Sequence, residues 1–171
     1  MNRVFVKKGD PLYKYTIKFM EESWGTKGKG IFPGCQPISI ERKHFDILEK
    51  NKYVVCEKTD GTRYMMIALQ YENQRVCVFI NRALEMFTVP LNFRLAVFKG
   101  TILEGELYEN TFMVYDCLMT CGEVVGNQGF LERLEYCKKT VKALKKAEWS
   151  THHLNNQVMI IQEFLFYYHQ T

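Results

Sequence analysis

Two pairs of strand-like runs, each joined by a very short polar connection, constrain this chain more than any other feature. YMMIALQY (64 to 71) meets RVCVFIN (75 to 81) across ENQ, and TILEGELY (101 to 108) meets TFMVYDCLM (111 to 119) across EN. Connections that short make tight hairpins, so the paired runs lie antiparallel. YVVCEK (53 to 58) adds a further strand-like run ahead of them. The chain must build around antiparallel sheet.

Helical spacing accounts for most of what remains. DPLYKYTIKFMEESW (10 to 24) places Leu12, Tyr15, Phe19 and Trp24 at helix-like intervals, with Pro11 at a plausible first turn. ERKHFDILEK (41 to 50) sets Phe45 and Leu48 among charges and predicts a short helix. FLERLEYCKKTVKALKK (130 to 146) spaces Phe130, Leu134, Cys137, Val141 and Leu144 by fours and threes, one apolar stripe of a helix. Lys138, Lys139, Lys142, Lys145 and Lys146 lie elsewhere on its surface, a solvated face first and an RNA footprint second. GTKGKGIFPGCQP (25 to 37) is dense in Gly and Pro and predicts a loop bordering a cleft, with Lys27 and Lys29 as solvated charges. VMIIQEFLFYYHQT (158 to 171) predicts another strand, apolar enough to need a covering partner and to favour self-association without one.

Composition bounds the function classes. With 171 residues, 47% hydrophobic, the chain can bury a genuine core in one domain. A formal net charge of +4 admits polyanionic partners, nucleotides and RNA among them. The six cysteines form no CxxC pair, and several fall in apolar runs where a free thiol acts as a small hydrophobe, which fits a reducing compartment. No stretch approaches the roughly 18 apolar residues of a membrane span, so a soluble, unexported protein is expected.

Three clusters can carry chemistry. Lys58, Asp60 and Arg63 crowd the end of the first strand-like run, where alternation puts Val54, Cys56 and Lys58 on one face. That predicts an amine at the floor of a cleft. An amine must be neutral to attack, and at an unperturbed pKa of about 10.4 only about four in ten thousand are neutral at pH 7. Read bare, Lys58 is equally a strand-end lysine paired with Asp60 or Glu57. Glu104 and Glu106 share a face of TILEGELY, on the order of 7 Å apart, where Mg2+ or ribose hydroxyls would satisfy their oxygens. A solvent-facing polar strand is the plain alternative. In TFMVYDCLM, alternation groups Phe112, Val114 and Asp116 on one face and Met113, Tyr115 and Cys117 on the other. An aromatic ring there is either core or a stacking surface for a purine.

EKTDGTRYMMI resembles the nucleophile motif K-x-D-G-x-R of mRNA capping enzyme guanylyltransferases, and the likeness continues through TRYMM. FPGCQPISI resembles that family's FPGxQPVS segment, and INRALEMF the stretch that presents an arginine to the triphosphate. TILEGEL resembles its acidic third motif and FMVYDCL its aromatic-Asp strand, all in order over residues 32 to 119. The resemblance implies an α+β nucleotidyltransferase domain of antiparallel sheets with flanking helices, a single unit over residues 1 to 171. It implies that Lys58 is guanylylated by GTP, with Mg2+ or Mn2+, and passes GMP to the 5′-diphosphate end of RNA. By motif position, Arg63 and Glu106 would hold ribose or metal, Arg82 the triphosphate, and Tyr115 the guanine. Glu104 would join the metal, although the family's usual residue there is Asp. Glu106 is expected to matter more than Glu104, and Tyr115→Phe to be nearly silent. Localisation would be nuclear, or cytoplasmic for a viral protein.

The family's later D-G-L-[IV] and K-x-K strands and its OB-fold lid have no counterpart in these residues. The resemblance therefore covers roughly the first two thirds of a nucleotidyltransferase domain. Weak nucleotide binding by these residues alone is expected. Two other readings stand beside the guanylyltransferase: a split or degenerate subunit that binds nucleotide, RNA or transcription machinery, and an ATP-dependent polynucleotide ligase fragment.

Overall fold

A computed structural model of the chain describes residues 3–26, 32, 34, 37–56, 58–144, 160–163 and 166–168, with the backbone alone at residue 56 and in the last two segments. Both anticipated hairpins form. β3 (Thr62–Tyr71) pairs with β4 (Gln74–Ile80), and β6 (Thr101–Tyr108) with β7 (Thr111–Thr120), both antiparallel. Each turn begins on a residue in the left-handed region, Glu72 at φ 52° and Glu109 at φ 53°. β3 also pairs antiparallel with β6, so the two hairpins fuse into one sheet.

Three shorter strands extend that sheet. β1 (Val4–Val6) pairs with β5 (Met86–Val89), which pairs with β4, and β8 (Glu123–Val124) adds to β7. Strands of two to four residues leave too little alternation to stand out in sequence. The order is β1-β5-β4-β3-β6-β7-β8.

β3 reads as a continuous apolar run because both faces of the sheet are covered. Met66 and Ala68 enter a core with Phe79, Phe87, Leu103 and Phe112, closed by α3 (Phe130–Lys142) through Cys137 and Val141. Met65, Ile67 and Leu69 enter the other, with Ile80 and Ile102, closed by α1 (Pro11–Trp24) through Leu12, Ile17 and Met20 and by Phe32. Within α1 the expected stripe is rotated: Thr16 and Met20 are fully buried, while Tyr15 lies largely exposed against Tyr71. α3 stops at Lys142, short of the expected 146. Ala143 accepts from the amide of Arg94, and Leu144 bridges Phe93 of the sheet's flank, which draws the chain off the helix axis.

The first strand-like run contracts to β2 (Val54–Cys56), which follows α2 (Phe45–Lys50) and lies outside the main sheet. The apolar run 158 to 171 divides in two. β9 (Ile160–Glu163) pairs with β7, and the pairing is parallel, a departure from the all-antiparallel expectation. β10 (Phe166–Tyr168) pairs antiparallel with β2.

Simple alternation also fails in β7. The β6 register steps from Glu104↔Asp116 to Gly105↔Val114, leaving Tyr115 as an extra residue, and steps again between Ile102 and Leu103. Such bulges turn the strand. Cys117, expected beside Tyr115, therefore packs with Leu103, Phe112 and Val114 instead. Cys77, Cys117 and Cys137 are buried free thiols, and burial pushes Cys77 and Cys117 up to about 12. Among the described residues no helix is long and apolar enough to cross a membrane.

Candidate active site

Three anticipated side chains meet at one carboxylate. Register places Arg63 opposite Glu106 and Met65 opposite Glu104. Arg63 nevertheless reaches diagonally to Glu104, directing Nε and Nη2 to Oε1. The Tyr115 hydroxyl donates to the same Oε1 at 3.2 Å, because the bulge in β7 aims the ring at β6. Glu104 is only 1% exposed. Burial pushes its carboxyl above the usual range, with Arg63 pulling the other way. The Tyr115 phenol is raised by burial and then by the Glu104 charge.

Phe32 and Gly34 stand beside this cluster. The Arg63 guanidinium lies over the buried Phe32 ring at 5.6 Å. Gly34 has φ +110°, and a Cβ there would fall 2.8 Å from Glu104 Oε2 and 3.0 Å from Arg63 Nη2. Only glycine suits both the backbone and the space.

Glu106, half-buried, accepts a hydrogen bond from the Thr59 hydroxyl. That bond ties the turn after β2 to β6. Gly61 comes so close to β6 that a Cβ would sit 2.7 Å from the Leu107 carbonyl oxygen. Lys58 rides on this turn, 86% exposed, with Nζ 3.3 Å from Asp60 Oδ1. The desolvated amine expected from strand alternation is not found, since Lys58 lies outside β2 and is exposed.

Arg82 occupies a separate, exposed turn between β4 and β5. Asn81 braces that turn twice: its Oδ1 accepts from the Glu85 amide at 2.9 Å, and its Nδ2 donates to Glu85 Oε2 at 2.7 Å. From α1, the Tyr13 hydroxyl donates to the Leu84 carbonyl at 3.1 Å. Neither periodicity nor motif spacing points to these supports. Nor does either reveal Arg133 of α3, which grips Asp116 with Nε at 2.7 Å and Nη2 at 3.1 Å, next to the Tyr115 bulge. Only the fold brings that helix to that strand.

Among the described residues no three His, Cys, Asp or Glu side chains gather as a metal cage. Glu104 suits a divalent cation less well, because Arg63 and the Tyr115 hydroxyl already engage its Oε1. Glu106 fits, since Mg2+ is commonly held by one or two carboxylates together with substrate phosphates.

The family described as mRNA capping enzyme, catalytic domain, matches residues 8–168. The chain is 36% identical over 107 residues to the mRNA-capping enzyme subunit alpha of Neurospora crassa, covering 51% of this chain and 27% of that protein. It is 33% identical over 132 residues to the mRNA-capping enzyme of Danio rerio, covering 69% of this chain and 21% of that protein. With the subunit alpha of Schizosaccharomyces pombe the identity is 30% over 131 residues, 65% of this chain and 33% of that protein. The chain thus spans a third or less of the length of these relatives. It belongs to the mRNA capping enzyme catalytic-domain family.

Proposed function

We propose that the chain carries the lysine that accepts GMP in a GTP:RNA guanylyltransferase of mRNA 5′ capping. One observation carries this reading: the Thr59–Glu106 bond and the close approach of Gly61 hold the Lys58 turn against β6, beside the Arg63–Glu104–Tyr115 cluster. A nucleophile on a braced turn next to a preorganised polar cluster suits transfer chemistry, in which positioning supplies much of the rate.

In the first step the Lys58 Nζ lone pair attacks the α-phosphorus of GTP. A P–N bond forms, the bond to the bridging oxygen of the β-phosphate breaks, pyrophosphate leaves, and the amine gives up a proton to solvent. In the second, a terminal phosphate oxygen of 5′-diphosphate RNA attacks the same phosphorus, the P–N bond breaks, and Lys58 regains its proton. Nucleotide bound here replaces Asp60 as the neighbour of the amine. Arg82 meets the triphosphate, Arg63 and Glu106 face the ribose, and the Tyr115 ring stacks on guanine. Glu106 would hold Mg2+ or Mn2+, which when bound supplies positive charge to the phosphates.

Incubating the chain with GTP or ATP labelled at the α-phosphate, with Mg2+, tests the reading. A labelled protein adduct from GTP is expected. An adduct from ATP alone overturns it in favour of ligase chemistry.

A further inference from the structure

A cavity of about 430 Å3 opens at the β1 edge of the main sheet, away from the carboxylate cluster. We propose that it receives a base of single-stranded RNA near the 5′ end, with Lys7 and Lys8 on the flanking phosphates. The proposal rests on the guanylyltransferase reading for the identity of the RNA.

Its lining is aromatic. Phe5, Tyr13, Tyr64 and Phe87 all contribute, and Phe5 is 75% exposed on an edge strand of three residues. The Phe87 ring is itself held rigid, stacked on Phe79 at 5.2 Å and edge-on to Tyr64 at 5.3 Å. A bare ring beside fixed rings offers a flat surface that any base can stack on. The size falls in the range of ligand pockets.

The rim is basic. Lys7 and Lys8 line the opening, and the Arg3 guanidinium lies over the Phe87 ring at 4.9 Å. The one lining carboxylate, Glu85, is engaged by Asn81 at 2.7 Å. Cations over rings complement a polyanion that carries planar groups, the description of a single strand of nucleic acid.

Location links the cavity to the transfer site. Leu84 and Glu85 belong to the turn that presents Arg82, and Tyr13 clasps that turn through the Leu84 carbonyl. A strand whose 5′ phosphates approach the Arg82 turn meets residues that also line this opening.

The test is fluorescence anisotropy of the 171-residue chain with a short 5′-diphosphate RNA, over a salt series. Phe5→Ala should weaken binding about fivefold or more, the loss of one stacked base, and Phe5→Tyr should restore it. Lys7→Ala with Lys8→Ala should lower the salt slope by about 1.4, two single-strand phosphate contacts at about 0.7 each. GMP adduct formation, which needs no RNA, should be unchanged in all three. Wild-type affinity and slope in both Ala variants, or displacement of the RNA by an acidic peptide at lower concentration, overturns the proposal. Failure of the wild-type chain to form any adduct would count against the guanylyltransferase reading alone, because RNA binding is measured without GTP. Melting temperatures equal to wild type exclude misfolding as the cause of a loss.

Discussion

The candidate site is held in two different ways. Arg63, Glu104 and Tyr115 are locked in mid-sheet, one carboxylate shared between two neighbouring strands and packed beside Phe32 and Gly34. Lys58 and Arg82 stand on exposed turns whose backbones are braced by neighbours, Thr59–Glu106 for one and Asn81–Glu85 for the other. The locked part suits fixed recognition of a base and a sugar. The braced turns suit groups that must meet phosphates and then release them, which explains why their side chains stay in solvent while their backbones do not. If that division is right, substitutions in the sheet should damage the fold and the site together, and substitutions on the turns should damage only the reaction.

The sharpest break would come at Lys58. Lys58→Arg keeps the positive charge and removes the amine proposed to attack, so the GMP adduct should disappear entirely. Because Lys58 is exposed and its pair with Asp60 is a surface contact, the melting temperature should not move. An adduct that persists removes Lys58 from the mechanism, and a large loss of stability would mean that the turn is less separate from the core than its exposure indicates.

Glu104 is the opposite case. Glu104→Gln removes the buried acceptor shared by Arg63 and Tyr115 and leaves hydrogen bonds unmade in a site nearly closed to water, a change that typically costs about 1–3 kcal/mol. Glu106→Gln, at a half-buried position, should lower Mg2+-dependent adduct formation with a much smaller loss of stability. The sequence-based ranking of Glu106 above Glu104 then holds for chemistry and reverses for the fold. pH sharpens this further. Burial raises the folded-state pKa of Glu104 above its ordinary 4.5, so the folded chain holds that proton longer than the unfolded chain. Its contribution is full below pH 4.5 and is lost as pH rises through the folded value. The margin of wild type over Glu104→Gln in urea denaturation should therefore shrink between pH 4 and pH 7. A margin that grows would mean that Arg63, and not burial, dominates the carboxyl.

The two regions also differ in how far sequence could describe them. The hairpins were legible because ENQ and EN leave room for nothing else, and the pairing of Glu104 and Glu106 on one strand followed from period-two geometry. Alternation could not report the bulge at Tyr115, which moves Cys117 to the other core, or the end of β2 before Lys58. Both errors have one cause: a periodic rule extended past the point where the backbone leaves the period. The brace on Asp116 from Arg133, and that on the Arg82 turn from Tyr13, join residues 17 and 71 apart and exist only in three dimensions.

Tyr115 tests whether the locked cluster acts as a unit. The ring alone was expected to matter, which makes Tyr115→Phe nearly silent. The hydroxyl instead donates to Glu104, so Phe should cost about 1 kcal/mol of stability and a smaller part of GTP affinity. Tyr115→Ala removes the ring as well and should weaken GTP by about 1–3 kcal/mol. Equal affinities for GTP in the Phe and Ala variants, read by calorimetry, would show that the hydroxyl carries the role and that stacking does not.

The smallest effect is expected at Arg82, and its pattern decides more than its size. Arg82→Ala changes an exposed side chain on a turn that Asn81, Glu85 and Tyr13 also hold, so stability should stay within about 0.5 kcal/mol. The contact with phosphate proposed for it would be made in water, where a single charge contributes about 1 kcal/mol or less. GTP should therefore weaken by a few-fold, whereas GMP, which lacks the outer phosphates, should bind as it does to wild type. A loss shared equally by GTP and GMP would place Arg82 at the ribose or α-phosphate. A fall in melting temperature would show that the arginine helps to brace its own turn, and the division between locked sheet and presented turns would then fail at that turn.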